Sequence, residues 1–150
     1  MPIDAAKLLD IISDAVIVAD TSGRIAFWNA AATRIFGFAA HEAMGQTLEL
    51  IMPERLRPRH NAGFAKSMET GTTRYGNDLL RVPALHKEGK PLSIAFTVAM
   101  IFDDGGKLTG VAAVIRDETL RFQEERELKR KLAAYESAAP GRAAPGTVAS

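Results

Sequence analysis

The chain has 150 residues, 47% of them hydrophobic and 25% charged, with a formal net charge of +1. That is room for one core and a short appendage, and the near-neutral balance leaves no electrostatic footprint for nucleic acid. The absence of Cys excludes disulfides, thiolate metal sites and any cysteinyl adduct to a flavin or other chromophore. Met1-Pro-Ile-Asp lacks the basic region of a signal peptide, and no apolar run reaches the roughly 18 residues that span a membrane, so a cytoplasmic chain is expected.

Lys7-Leu-Leu-Asp-Ile-Ile-Ser13 is amphipathic and predicts an N-terminal flanking helix within residues 1–13. Ala15–Asp20 and Arg24–Asn29 are β-type runs around Thr21-Ser-Gly23, a hairpin pattern. Asn29 stands where an N-cap belongs, ahead of a helix from Ala30 that Gly37 ends. His41 opens a short helical turn up to Gly45, and Leu48–Met52 suits another before Pro53. Pro58 and Gly71 bracket a longer helix over 58–70, on which His60, Phe64 and Met68 share one face that is expected to point inward. Three strands follow: Leu79–His86, Leu92–Phe102 and Leu108–Ile115, joined through Lys87-Glu-Gly-Lys90 and Asp103-Asp-Gly-Gly-Lys107.

This order predicts an α+β fold, a five-stranded antiparallel sheet with short helices on one face and flanking helices at both ends. On the fourth strand Leu92, Ile94, Phe96, Val98 and Met100 form the larger side and should face the helices. Residues 14–118 make the domain, 119–137 a projecting helix rich in helix formers, and 138–150 a low-complexity tail expected to be disordered. Within the projecting helix, Glu127 and Lys131 have pairing spacing, and Leu128, Leu132 and Tyr135 form a short seam.

The hairpin into Trp28-Asn29-Ala-Ala, the Phe36-Gly37 turn, Ile51-Met-Pro-Glu54, Lys87-Glu-Gly89 and Val114-Ile-Arg-Asp117 together resemble the PAS domain family with its C-terminal PAC portion, over roughly residues 5–120. The resemblance implies a sensory or dimerising module, with a sheet that cups a pocket and signals that leave through the flanking helix. Arg57-Pro-Arg-His60 is further similar to the helix of oxygen-sensing haem PAS domains of the FixL and Dos type. That similarity implies haem b, with His60 as iron ligand and Phe64, Leu80, Val82, Ile94, Phe96, Val98 and Ala113 around it. An imidazole nitrogen suits iron, and an inward position on a pocket helix suits a flat macrocycle. A His that only bonds locally is the alternative.

By the same resemblance, Leu80 stands where a distal Arg is expected, and Leu cannot donate a hydrogen bond. Alternation puts Arg81 on the other face unless a bulge near Pro83 shifts the register. The pocket implied is apolar and favours CO, NO or an unliganded ferrous state; it equally suits a small organic metabolite or plain core. A flavin is less expected, since the late strands offer no polar set to grip it. Trp28 reads as packed core, His86 as solvated, His41 as no second axial ligand, and Glu42 with Lys87 as an exposed pair between short helix and hairpin. No Ser-His-Asp set, phosphate-cradling loop or paired acidic motif points to an enzyme. The expected partners are a second copy of the chain, through the flanking helices, and a downstream signalling domain or protein. A ligand-free interaction and dimerisation module is the rival reading.

Overall fold

A computed structural model describes residues 2–73 and 78–138; the expected tail beyond Ala138 lies outside the described residues. Two units divide between Glu118 and Thr119. The first holds α1 (Ala5–Ile11), β1 (Ala15–Asp20), β2 (Ile25–Trp28), α2 (Ala30–Phe36), α3 (Ala40–Ala43), two 3-10 turns (Leu48–Ile51 and Glu54–Leu56), α4 (Arg57–Thr70), β3 (Leu80–Leu85), β4 (Pro91–Phe102) and β5 (Leu108–Asp117). The second is α5 (Thr119–Ala138). The strands form one five-stranded sheet, ordered β2-β1-β5-β4-β3 and antiparallel at every junction.

Asn29 shows how the sequence builds this. It is 1% exposed, and its side-chain oxygen accepts from the Ala32 N–H at 3.0 Å, capping α2 as its position predicts. The same oxygen accepts from the Val16 N–H of β1 at 2.9 Å, while its amide nitrogen donates to the carbonyls of Leu9 and Asp14 at 2.6 and 3.1 Å. One amide therefore joins α1, β1 and α2 with its bonding capacity used on both sides.

Trp28 is packed core. Its indole N–H donates to Thr33 Oγ1 and the Phe38 carbonyl at 3.0 and 3.1 Å, and its ring lies 5.9 Å from that of Phe36. Phe36 is fully buried, worth about 1.5–3 kcal/mol in transfer free energy. Around it gather Ile17, Ile25, Ala32, Ile51, Ile94 and Ile115, with Leu92 and Phe96 packed against them. Leu92, Ile94 and Phe96 of β4 thus face the helices as alternation predicts. Gly110 of β5 admits the close approach of β1: a Cβ there would stand 2.6 Å from the Ala19 carbonyl oxygen.

Several expectations are corrected. His86 is not solvated: its side chain is 22% exposed, and its ring sits where a Cβ on Gly37 would be, 2.5 Å from that point. The reason is the hairpin's docking onto α2, through the Lys87 N–H bond to the Phe36 carbonyl at 2.8 Å and the Lys87–Glu42 ion pair at 2.6 Å. That ion pair is the one the sequence leads us to expect. No bulge moves Arg81, because β3 and β4 pair without interruption from Leu80↔Phe96 to Leu85↔Pro91. Arg81 points the other way and pairs with Glu118 at 3.2 Å. In α5, Glu127 pairs with Arg130 rather than Lys131, and Arg121 with Glu125 at 3.2 Å. β5 continues two residues past Ile115, and Asp4, accepting from the Ala6 and Lys7 N–H groups, starts α1 ahead of its apolar residues.

Candidate functional site

The inner face of the sheet is unevenly covered. Directly paired residues share a face, so Trp28, Ile17, Ala113 and Val98 form one row across β2, β1, β5 and β4. Along that row, burial declines from Trp28 and Ile17, which are buried, to Ala113 and Val98, which are half-buried. α2 and the first 3-10 turn supply the covering core residues Ala32, Phe36 and Ile51, which pack with Ile17 and Ile25 of β1 and β2 and with Ala84, Ile94 and Ile115 of β3, β4 and β5. Over β3 and β4 the cover thins. Leu80 and Phe96 are half-buried and Val82 is 37% exposed, although all three face inward. The result is an apolar shelf.

α4 lies by the β1–β2 turn and the last residue of β4. Phe64 rests on the β1–β2 turn, its ring edge 3.5 Å from where a Cβ on Gly23 would stand, and the helix ends at Gly71 beside Phe102 of β4, about 4.0 Å by the same measure. The helix packs loosely: none of its residues is buried, so the expected inward face of His60, Phe64 and Met68 is realised as three half-buried side chains. The Arg57 guanidinium holds its N-terminal end by donating to the carbonyls of Met52 and Glu49 at 3.3 and 3.2 Å.

The rings of His60 and Phe64 are stacked, with centroids 6.3 Å apart and planes inclined at 23°. His60 Nδ1 lies 3.4 Å from Asn61 Oδ1; when Nδ1 donates there, Nε2 carries the lone pair. His60, Asn61 and Phe64 line a groove of about 290 Å³ with Thr47, Leu48 and Glu49 of the first 3-10 turn and Ser22 and Gly23 of the β1–β2 turn.

The structure therefore divides the residues that the sequence singles out. His60 and Phe64 share the groove. Ile94 is core, Phe96 and Ala113 pack against that core, and Leu80, Val82 and Val98 complete the shelf. Sequence reasoning missed Ser22, Thr47 and Glu49, since tertiary pairing, the Arg24↔Thr47 bridge with the Ile25 N–H bond to the Gln46 carbonyl, brings the first 3-10 turn beside the hairpin.

Two carboxyls outside the groove, Asp20 and Glu42, are held by local bonds. The Ser22 hydroxyl, at 2.6 Å, followed by the bond from the Arg24 N–H, holds the Asp20 carboxyl below its usual range. Glu42 is lowered chiefly by its bond from Lys87 and then by the Ala39 N–H. Among the described residues no three His, Asp or Glu side chains gather to hold a metal ion. A metal at His60 would need its remaining ligands from a prosthetic group. An imidazole is a donor that haem iron accepts, while the groove around His60 is lined by the polar Ser22, Thr47, Glu49 and Asn61 beside Leu48 and Phe64, and the apolar walls a porphyrin asks for stand on the shelf, outside that lining.

The family model described as the PAS fold matches residues 4–117. An uncharacterized protein of Azorhizobium caulinodans is 35% identical over 124 residues, which cover 82% of this chain and 17% of that protein. The sensor protein FixL of Bradyrhizobium diazoefficiens is 40% identical over 64 residues, 43% of this chain and 13% of FixL. The oxygen sensor protein DosP of Escherichia coli is 19% identical over 120 residues, 80% of this chain and 15% of DosP. The chain thus spans less than a fifth of the length of these relatives. A PAS domain of a Colwellia psychrerythraea protein superposes with a TM-score of 0.67 at 23% identity, covering 77% of this chain and 94% of that one. Sheet order, helix placement and sequence agree: the chain belongs to the PAS family.

Proposed function

We propose that this chain is a non-catalytic sensory module that takes a flat, largely apolar cofactor on the inner face of its sheet, haem b held through His60, and passes the response to α5. The observation that carries the reading is the apolar shelf of Leu80, Val82, Phe96, Val98 and Ala113 on the inner face of the sheet, in a domain whose histidine-bearing α4 has no buried residue. Likeness to FixL, a sensor protein, and DosP, an oxygen sensor protein, supports the same class.

Haem, when bound, would supply an iron able to take a diatomic gas. The protein's part is to hold and to exclude. His60 Nε2 offers the lone pair, and stacking on Phe64 fixes the ring's plane. Leu80, Val82 and Val98 exclude water and donate no hydrogen bond, so selectivity rests on shape and polarity. Ala113 stands on the shelf, and the same strand runs on to Asp117. The Glu118 N–H donates to the Ser93 carbonyl at 2.8 Å and the Glu118 carboxylate pairs with Arg81, so β3, β4 and β5 are all tied to Glu118, the residue that precedes α5 in the chain. A shift at Ala113 is thereby passed to residues 119–137, the proposed output helix beyond a sensory domain of 14–118. Exposed Leu8 and Ile11 of α1, and Leu128, Leu132 and Tyr135 of α5, suit a homodimer that carries the output. A downstream signalling domain or protein would receive it.

Titrating the purified protein with haemin tests this directly. The expected result is a saturable, equimolar Soret band that His60→Ala removes while its circular dichroism stays native. No Soret band with wild-type protein, or an unchanged band in His60→Ala, overturns the haem reading.

A further inference from the structure

We propose that the groove between α4, the first 3-10 turn and the β1–β2 turn binds a small organic cation, an amine or guanidinium with a short flat apolar portion. The inference goes beyond the haem reading and does not rest on it. Its starting point is Glu49. This residue is half-buried and lines the groove, yet among the described residues no Lys, Arg or His nitrogen lies within ion-pairing distance of its carboxylate. The Thr47 hydroxyl donates to its Oε2 at a long 3.5 Å. Arg57 reaches the same segment, but its guanidinium is engaged with the carbonyls of Met52 and Glu49 and leaves the carboxylate alone. A carboxylate partly withdrawn from water without a counter-ion is stabilised by an arriving cation more than an exposed one would be.

The rest of the lining agrees with a cation. Phe64, with the His60 ring stacked beside it, gives the groove an aromatic wall: the Phe64 face attracts a positive charge, and the two rings accept a flat apolar group. An ammonium has three N–H donors, and the groove offers acceptors to meet them in the Glu49 carboxylate and the hydroxyl oxygens of Ser22 and Thr47. Gly23, with no side chain of its own, lets the Phe64 ring lie against the turn. An anion is disfavoured by Glu49, and a bare metal ion by the lack of a three-ligand group among the described residues. The volume of about 290 Å³ sits at the small end of ligand sites, which suits a compact amine.

Calorimetric titration of the haem-free protein with benzylamine, against benzyl alcohol as its neutral counterpart, tests the proposal. Benzylamine is expected to bind saturably and at least about tenfold more tightly than the alcohol, a difference of about 1.4 kcal/mol. Glu49→Gln, on a half-buried surface position, should melt near wild type and bind benzylamine about tenfold more weakly. Phe64→Leu should also weaken it. Equal affinity for amine and alcohol, unchanged binding in Glu49→Gln, or no saturable heat at millimolar benzylamine overturns the proposal. A haemin titration of the same samples separates the two readings: lost amine binding with an intact Soret band sinks only this one, and retained amine binding without a Soret band sinks only haem.

Discussion

Replacing Asn29 by Ala removes one side chain and leaves four backbone groups without their partner. The Val16 and Ala32 N–H groups lie in buried surroundings, whereas the Leu9 and Asp14 carbonyls are part-buried and reach water more easily. Losing the cap on α2 costs about 1 kcal/mol. Leaving the Val16 N–H unpaired inside the domain costs roughly 1–3 kcal/mol more. With the two carbonyls rehydrated at little expense, the sum is about 2–4 kcal/mol, a large share of a domain's roughly 5–15 kcal/mol. Urea unfolding followed by circular dichroism measures the loss, and hydrogen exchange should show the α1 amides losing protection first, since Asn29 binds the Leu9 carbonyl within that helix. A loss below about 0.5 kcal/mol, typical of an ordinary surface substitution, would refute this account of Asn29.

Two further substitutions probe the docking of the β3–β4 hairpin. Gly37→Ala places a methyl group 2.5 Å from the His86 ring at a φ of +84°, so it should destabilise by about 1–3 kcal/mol. In a His86→Ala background the steric part should vanish, and equal losses in both backgrounds would show that backbone strain alone is at work. The Glu42 carboxyl is depressed in the folded state, first by its bond from Lys87, so its contribution is complete above its ordinary value of 4.5 and is lost as pH falls through the lower folded value. Glu42→Gln should therefore flatten the acid side of the stability profile, and a profile of unchanged slope would contradict the pairing.

How much of this was legible in the sequence depends on the range of the interaction involved. The Asn29 cap, the hairpin turns and the alternation of β4 are local, set by neighbours within a few residues, and they read correctly. The Glu42–Lys87 pair is distant in the chain and was reached through the resemblance to PAS domains. His86 was misread because a position beside a turn suggests water, whereas the hairpin folds back onto Gly37 and half-buries the ring. The candidate site was legible in its parts and not in its assembly. Four-residue spacing put His60 and Phe64 on one face of α4, but their groove is completed by Ser22 and Glu49, whose nearness depends on how the first 3-10 turn lies along the hairpin. The open shelf follows from tertiary cover, since periodicity tells which side of β4 faces inward and not whether a helix closes over it.

The central claim is that α4 and the apolar shelf of the sheet together form the ligand site. Hydrogen exchange measured by mass spectrometry, before and after equimolar haemin, tests it most directly. Slowed exchange is predicted in peptides covering α4 and in those covering Phe96–Val98 and Ala113, with Ala15–Ile17 in the closed core unchanged. Haemin that binds while α4 and the shelf exchange as before would contradict the account.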